Sequence, residues 1–300
     1  MLNDVSSVFN PGAARWGDQI VLLLRVQNRG RETYLLPAFS RDGIDFTISG
    51  EPIQFHGLEK LGCRAYHIYD PRITRIDGLF YITLAIDTDN GCRIGLARTA
   101  DFQQYEFLGV PLEGDARNAV LFPEKIGGEY AMLYRPNRTR LDGGVASGSE
   151  IELALSSDLL HWTPCKMVMS GRFHYWDELI GSGPPPVKTG RGWLHIYHGV
   201  ATHFGASNIY QAGVVLLDLN DPGKVIGRSK YNILEPRELY ELTGQVPNVV
   251  FPTGLVPADR DQDTPVDDDT ELLVYYGAAD TCVGLATTTV RELLDACDRV

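Results

Sequence analysis

A five-bladed β-propeller, an all-β fold with a central active-site cavity, is predicted by three features of the sequence. One pattern, a polar residue followed by a turn and an apolar strand, recurs five times. Turn formers are abundant, with 31 Gly and 17 Pro among 300 residues. Helical periodicity is convincing only over 290–296, near the C-terminus.

The first unit opens with Asn10-Pro11-Gly12-Ala13, turns at Gly17-Asp18 and closes with an apolar run ending at Arg25. The second opens with Tyr69-Asp70-Pro71-Arg72, turns at Asp77-Gly78 and continues into the run 79–85. Asn118 opens the third, which passes Leu121-Phe122-Pro123-Glu124-Lys125, turns at Gly127-Gly128 and closes with 131–135. The fourth has Gly183-Pro184-Pro185-Pro186, then Thr189-Gly190, then 193–198. The fifth runs from Phe251-Pro252-Thr253-Gly254 across an acidic loop to 272–277. Starts spaced by roughly 50–70 residues suit one four-stranded blade per unit. The innermost strands of such a propeller line its channel, so the opening polar residues converge, and Asp70 is the carboxylate among them.

The intervals repeat too. Ser40-Arg41-Asp42, Thr99-Ala100-Asp101 and Ser156-Ser157-Asp158 each follow an alternating run, where an Asp can bond the backbone of a turn between outer strands. The acidic stretch 258–269 lacks the ligand spacing and closing Glu of an EF-hand and reads as a solvated hairpin loop. All-β chains of this size often form one domain, and we read residues 1–300 as a single catalytic unit.

A net charge of −12 argues against nucleic acid or an anionic membrane as the main partner, since both reward basic patches. The five cysteines are scattered, with no metal-ligand spacing, and we expect reduced thiols, no metal and a cytoplasmic location. The N-terminus has no basic region followed by an apolar run, and no stretch reaches membrane-spanning length.

Aligned on their strand ends, the units place Arg25, Arg135 and His198 at similar positions, and two guanidiniums with an imidazole make an anion site. An Arg at any one such position is ordinarily a structural or solvated residue, and the recurrence is what favours a site. His195 and His198 are separated by an odd number of strand positions, so they face opposite ways and cannot share a metal. Asp70-Pro71 is by itself a turn signal. Beside a bound phosphate, a single carboxylic acid suffices for phosphorolysis of a glycoside, whereas inverting hydrolysis needs a second carboxylate to activate water. Asp280 is the nearest second carboxylate, and it could equally hold sugar hydroxyls. Phosphate-binding loops, nucleophile elbows, zinc-protease motifs and dinucleotide fingerprints are all missing from the sequence. Four Trp and 14 Tyr allow sugar stacking, though most should be core.

These motifs, together with Ser40-Arg41-Asp42-Gly43-Ile44-Asp45-Phe46 and Tyr276-Gly277-Ala278-Ala279-Asp280, resemble those of glycoside hydrolase family 130, in order and over nearly the whole chain. The resemblance implies a five-bladed propeller that acts on β-mannosides, mostly by inverting phosphorolysis to α-mannose 1-phosphate, with inorganic phosphate as co-substrate and no cofactor. It implies that Asp70 is the proton donor, acting through a mannose hydroxyl. Arg117, Arg135, His198 and Tyr210 match its phosphate-binding positions, and Asn10, Arg25, Asn118 and Asp280 match those that hold the mannose. A hydrolytic branch that cleaves β-1,2-mannosides has lost the basic phosphate ligands, and their presence here favours phosphorolysis. We expect a β-1,4-linked substrate with glucose, N-acetylglucosamine or mannose as the acceptor, as in the mannosylglucose, mannosyl-N-acetylglucosamine and mannooligosaccharide phosphorylases. The chain opens at its first repeat, so the terminal extensions that build oligomer contacts in some members are not expected, and homo-oligomerisation stays open. So do a hydrolase on the same fold, a non-catalytic sugar-binding propeller, and contact between phosphate and Lys125 or Lys188.

Overall fold

The computed structural model describes residues 4–140, 146–202, 207–261 and 264–298. Blade 1 contains β1 (Val5–Trp16), β2 (Gln19–Asn28), β3 (Thr33–Ser40) and β4 (Thr47–Ile48) in that spatial order. Blade 2 places β5 (Phe55–His56) outside the meander β6 (Ala65–Ile76), β7 (Leu79–Thr88), β8 (Gly91–Thr99) and β9 (Tyr105–Gly109), with β5 parallel to β9. Blade 3 holds β10 (Ala116–Leu121) and β11 (Tyr130–Pro136), then a side hairpin of β12 (Thr139–Arg140) and β13 (Ala146–Ser147), then β14 (Glu150–Ser156) and β15 (Thr163–Ser170).

In blade 4 the innermost strand is split into β16 (Leu179–Ser182) and β17 (Val187–Lys188), both paired to β18 (Trp193–Ala201), followed by β19 (Ile209–Leu217) and β20 (Val225–Arg228). Pro184, Pro185 and Pro186 lie in the gap between the two pieces, because proline cannot donate to the ladder. After the short helix α1 (Leu239–Leu242), blade 5 has three strands, β21 (Val250–Pro257), β22 (Glu271–Ala278) and β23 (Cys282–Thr289). The five-bladed propeller expected from the repeats is the fold found. The expectation of four strands per blade fails for blade 5, where the chain leaves β23 directly into α2 (Val290–Asp298). That helix packs Val290, Leu293 and Leu294 against Leu216 of blade 4 and Leu272 of blade 5.

Strand alternation explains why five sheets hold together. In β2, Val21 and Leu23 enter the core between blades 1 and 2, while Ile20, Leu22 and Leu24 enter the core between blades 1 and 5. Further cores join blades 2 and 3 around Leu96 and Met132, blades 3 and 4 around Phe122 and Trp193, and blades 4 and 5 around Ile196 and Val274. Each middle strand is thus apolar on both faces, as a sheet buried on both sides requires. Trp193 and Trp162 are core residues, as expected, whereas Trp16 and Trp176 are partly buried.

The outer turns follow the predicted chemistry. Asp42 Oδ1 accepts the Ile44 and Asp45 amides, Asp101 Oδ1 accepts those of Gln103 and Gln104, and Asp158 Oδ1 accepts those of Leu160 and His161. The acidic stretch lies in the hairpin connection between β21 and β22, where Arg260 pairs with Asp259 and Asp267 and Arg291 pairs with Asp268 and Asp269.

Closing the ring requires the first blade to meet the last. Arg15 Nη2 donates to the carbonyls of Pro257 at 3.1 Å and Ala258 at 2.6 Å, Thr253 Oγ1 donates to the Pro11 carbonyl at 2.8 Å, and Tyr275 Oη donates to the Gly43 carbonyl at 2.8 Å. These bonds join residues more than 200 positions apart, so loss of one loosens the whole closure. Arg15→Ala is expected to lower unfolding free energy by about 1–3 kcal/mol, since it strands two carbonyl acceptors. Urea unfolding should show a lower midpoint with activity retained at 25 °C; an unchanged midpoint would remove Arg15 from the closure.

Candidate active site

The innermost strands are not regular. In β1, β6 and β10 the pairing to the next strand slips between Phe9 and Gly12, between Tyr69 and Arg72, and between Arg117 and Val120. The residue at each slip has a left-handed backbone, with φ of 46° at Asn10, 50° at Asp70 and 56° at Asn118. Asn and Asp tolerate that conformation far better than branched residues do. A bulge of this kind re-aims its side chain, here in three successive blades. The recurrent Asn, Asp, Asn of the repeat is thus a backbone requirement as well as a chemical one.

In blades 1 and 3 the residue just before the bulge faces a residue of the second strand, Arg25 opposite Phe9 and Arg135 opposite Arg117, and in blade 4 His198 faces Gly181 of the innermost strand. The three positions aligned in the sequence are therefore equivalent in space. They do not form one anion site, however. Arg25 Nη1 donates to Asp70 Oδ1 at 2.9 Å, and Asn10 Nδ2 donates to the same oxygen at 3.0 Å. The Arg25 guanidinium lies between the rings of Phe9 and Tyr69, its central carbon 4.4 Å from each centroid. Arg25 thus belongs to the carboxylate, because the second-strand position of blade 1 abuts the bulge of blade 2.

Asp70 is buried, 6% exposed. Burial alone would raise its proton affinity, but the Arg25 and Arg72 cations and the Asn10 amide outweigh it and hold the carboxyl below its ordinary range. Asp280, also with a left-handed backbone, senses Arg25 and Asp70; burial, reinforced by Asp70, pushes its carboxyl up to about 6.

A second group gathers on blades 3 and 4. Arg117 and Arg135 are direct cross-strand partners. Burial and the nearby Arg117 lower the Arg135 pKa to about 10, which leaves it charged at neutral pH. His198 is fully buried, packed on Phe251 at a centroid distance of 4.4 Å and stacked near Tyr210 at 6.4 Å. Burial, with Arg135 and Arg72 adding to it, holds His198 well below the ordinary histidine range, so its imidazole is neutral. The Ser182 carbonyl lies toward it, but neither ring nitrogen makes a hydrogen bond of good geometry. Gly181 lets the ring come close: a Cβ there would lie 2.8 Å from His198 Nε2 and 2.6 Å from Asn118 Nδ2. Tyr210 senses Arg135, Asp280 and Arg117 and so lies near both groups. Several buried polar atoms without a hydrogen-bond partner lie here, among them Asn10 Oδ1, the Nε atoms of Arg25, Arg117 and Arg135, and both nitrogens of His198. Buried polar atoms without partners are costly, and this concentration marks a place built for a polar ligand.

Arg72 was part of a recognised motif but carried no assigned role. It is 1% exposed, and every nitrogen of its guanidinium donates a hydrogen bond. Nη1 donates to the Asp70 carbonyl, Nε to the Gly183 carbonyl, and Nη2 to the Ser182 carbonyl and Asn118 Oδ1, at 2.8–3.3 Å. Taking Asn118 Oδ1 leaves its Nδ2 as the free end beside His198. The available signal was its place on the bulged strand, two residues after the left-handed Asp70. Lys125 and Lys188 lie elsewhere: Lys125 sits over the Tyr130 ring at 4.5 Å and Lys188 pairs with Glu124 at 2.5 Å, both exposed. His198 packs on Phe251 of blade 5, whereas Trp193 and Tyr197, which share the strand face of His195, enter the core toward blade 3, and no metal-binding cluster occurs among the described residues.

The family model described as β-1,4-mannooligosaccharide phosphorylase matches residues 1–299. The chain belongs to glycoside hydrolase family 130. This family 130 chain is 37% identical over 260 residues to a 1,2-β-oligomannan phosphorylase of Thermoanaerobacter sp. (strain X514), covering 85% of this chain and 78% of the relative. It is 34% identical over 301 residues to a β-1,4-mannooligosaccharide phosphorylase of Ruminococcus albus, covering 97% and 84%. Among solved structures, the β-1,2-mannobiose phosphorylase of Listeria innocua in complex with β-1,2-mannobiose superposes with a TM-score of 0.83 at 27% identity, covering 98% and 92%.

Two outcomes follow from the electrostatics. Removing the buried cation in Arg72→Met is expected to cost about 3–5 kcal/mol in urea unfolding, because its acceptors stay buried without donors; a loss under 1 kcal/mol would mean that water replaces it. Asp280 binds its proton more tightly folded than unfolded, so its stabilising contribution is complete below its ordinary 3.8 and is lost as pH rises through about 6. Asp280→Asn should therefore gain melting temperature relative to the parent between pH 4 and 6 and keep that gain at higher pH; parallel curves would show an unperturbed carboxyl.

Proposed function

We propose that this chain catalyses the inverting phosphorolysis of β-mannosides, releasing α-mannose 1-phosphate and the acceptor sugar. One observation carries the reading: a buried carboxylate on blade 2 lies near a pair of guanidiniums and a neutral imidazole on blades 3 and 4, since Arg117 senses Asp70 and Arg72 bridges Asp70 to Asn118. Like charges placed directly opposite on neighbouring strands repel each other. Arg117 and Arg135 are in that relation, and a bound anion would relieve it. Membership of family 130, with relatives named as mannoside phosphorylases, supports inorganic phosphate as that anion.

In this reading Arg117 and Arg135 grip phosphate oxygens, and His198 and Tyr210 donate one hydrogen bond each. Asn10, Arg25, Asn118 and Asp280 hold the mannose. A phosphate oxygen attacks the anomeric carbon on the face opposite the leaving group, forming the new C–O bond as the glycosidic bond breaks. The proton of Asp70 passes through a mannose hydroxyl to the departing oxygen, so one carboxylic acid suffices and no cofactor is needed. Asp70 is held ionised in the free protein, so the acid form must arise with ligand bound. Sugar hydroxyls that take over Arg25, and the negative charge of phosphate nearby, both act in that direction. A cleft of about 660 Å³, lined by Arg25, Tyr34, Tyr66, His67 and Asp87, offers the acceptor sugar a place beside the acid.

The five blades act as one catalytic unit in this reading. Free cysteines, two of them exposed, support a reducing cytoplasmic location, where phosphate is plentiful. Relatives named for 1,2-linked and for 1,4-linked substrates occur side by side, so the assay must span both linkages.

The deciding experiment incubates the protein with β-1,4- and β-1,2-mannobiose, mannosyl-glucose and mannosyl-N-acetylglucosamine, with and without phosphate. Mannose 1-phosphate formed only with phosphate is the expected result; free mannose released equally without it would make the chain a hydrolase. Asp70→Asn should lower kcat by about 10²–10⁴-fold, the usual contribution of a positioned acid.

A further inference from the structure

The Arg135 guanidinium makes one hydrogen bond to the rest of the protein among the described residues: Nη2 donates to Asn137 Oδ1 at 3.1 Å. Asn137 is itself tied at both ends. Its Nδ2 donates to Asp115 Oδ1 at 2.5 Å, and its backbone N–H donates to the Asp115 carbonyl at 2.9 Å. Asp115 Oδ1 also accepts the Cys92 amide at 3.3 Å. The amide of Asn137 therefore has one usable orientation, since only its NH₂ can face a carboxylate, which turns its carbonyl oxygen to Arg135.

We propose that Asn137, anchored by Asp115, is a positioning residue for Arg135 that orients its guanidinium without neutralising it. A carboxylate in direct contact would also aim the cation, but it would compete with the anion that the cation is there to hold. An amide between them transmits the orientation and keeps the negative charge one residue away. Arg135 needs such a guide because it faces Arg117 across the strands, and an unguided guanidinium would swing away from its like-charged neighbour. Close packing does part of the work, as a Cβ on Gly148 would come within 2.9 Å of Arg135 Cγ, which fixes the stem but not the head.

This inference rests on phosphate binding at Arg117 and Arg135 as proposed above, so its test starts with the parent protein. Turnover of the parent without phosphate would overturn the functional reading and this inference with it. Given phosphate-dependent turnover, Asn137→Ala should raise the phosphate KM by about 10- to 100-fold, the usual range for losing a hydrogen bond to a charged group. The mannoside KM, and kcat at saturating phosphate, should stay within about twofold. Asn137→Asp should raise the phosphate KM further, because it places a carboxylate on the cation. In an Arg135→Lys background Asn137→Ala should add little, since the residue it guides is gone. An unchanged phosphate KM, a parallel rise in both KM values, or full additivity in the Lys background would each overturn the role. If Asn137→Ala does not fold, Asp115→Asn cuts the anchor instead, and a selective rise in phosphate KM is again expected and an unchanged one again contrary.

Discussion

The buried guanidinium of Arg72 is the interaction on which the centre of this propeller depends. An unpaired cation in such a place would cost several kcal/mol, and the cost is offset because acceptors from three blades converge on it. Asp70 of blade 2 supplies a carbonyl, Asn118 of blade 3 an amide oxygen, and Ser182 and Gly183 of blade 4 two carbonyls. A ring of blades has no covalent axis, so this cation serves in place of one. It also has chemical consequences. Its charge favours the ionised form of Asp70 and disfavours protonation of His198, which sets one side of the cavity as a carboxylate and the other as a neutral donor. The same bond that holds Asn118 Oδ1 turns its NH₂ toward the imidazole.

Around this hub the charges are sorted. The whole protein carries a net −12, yet Arg25, Arg72, Arg117 and Arg135 gather at its centre. Arg25 is spoken for by Asp70, and Arg72 by backbone and amide oxygens. The residual positive field comes from Arg117 and Arg135, which face each other across the strands with no ion pair to a carboxylate among the described residues, unlike Arg25. A site that excludes water makes such unshielded donors far more effective toward an anion than they would be at the surface. The division between arginines already bound to oxygens of the protein, one of them a carboxylate, and a facing pair that has no carboxylate is what distinguishes the acid side from the anion side.

Much of this was legible in the chain. Continuous apolar runs, five recurrences and the turn residues give a propeller, because a sheet apolar on both faces must be packed between two others. The opening polar residues were read as converging, and the motif resemblance assigned roles to Asn10, Asp70 and Asn118; the bulges that carry them came only with the structure. The equivalence of Arg25, Arg135 and His198 was correct as geometry and wrong as a single anion site, because sequence position does not say which blade a side chain leans toward. The three-stranded last blade was missed for a similar reason, since a strand that is absent leaves only an apolar run that becomes a helix.

What the sequence determined by itself was the architecture and the inventory of chemical groups, both of which follow from local propensity and repeat spacing. What only the tertiary structure decided was pairing and protonation. Arg72 finds its acceptors up to 111 positions away, Arg25 meets a carboxylate 45 positions away, and Arg15 closes the ring across more than 240. Hydrogen bonding and desolvation act over a few ångströms of space, irrespective of distance along the chain. Which cation is satisfied and which is left for a ligand is therefore settled only when the blades close.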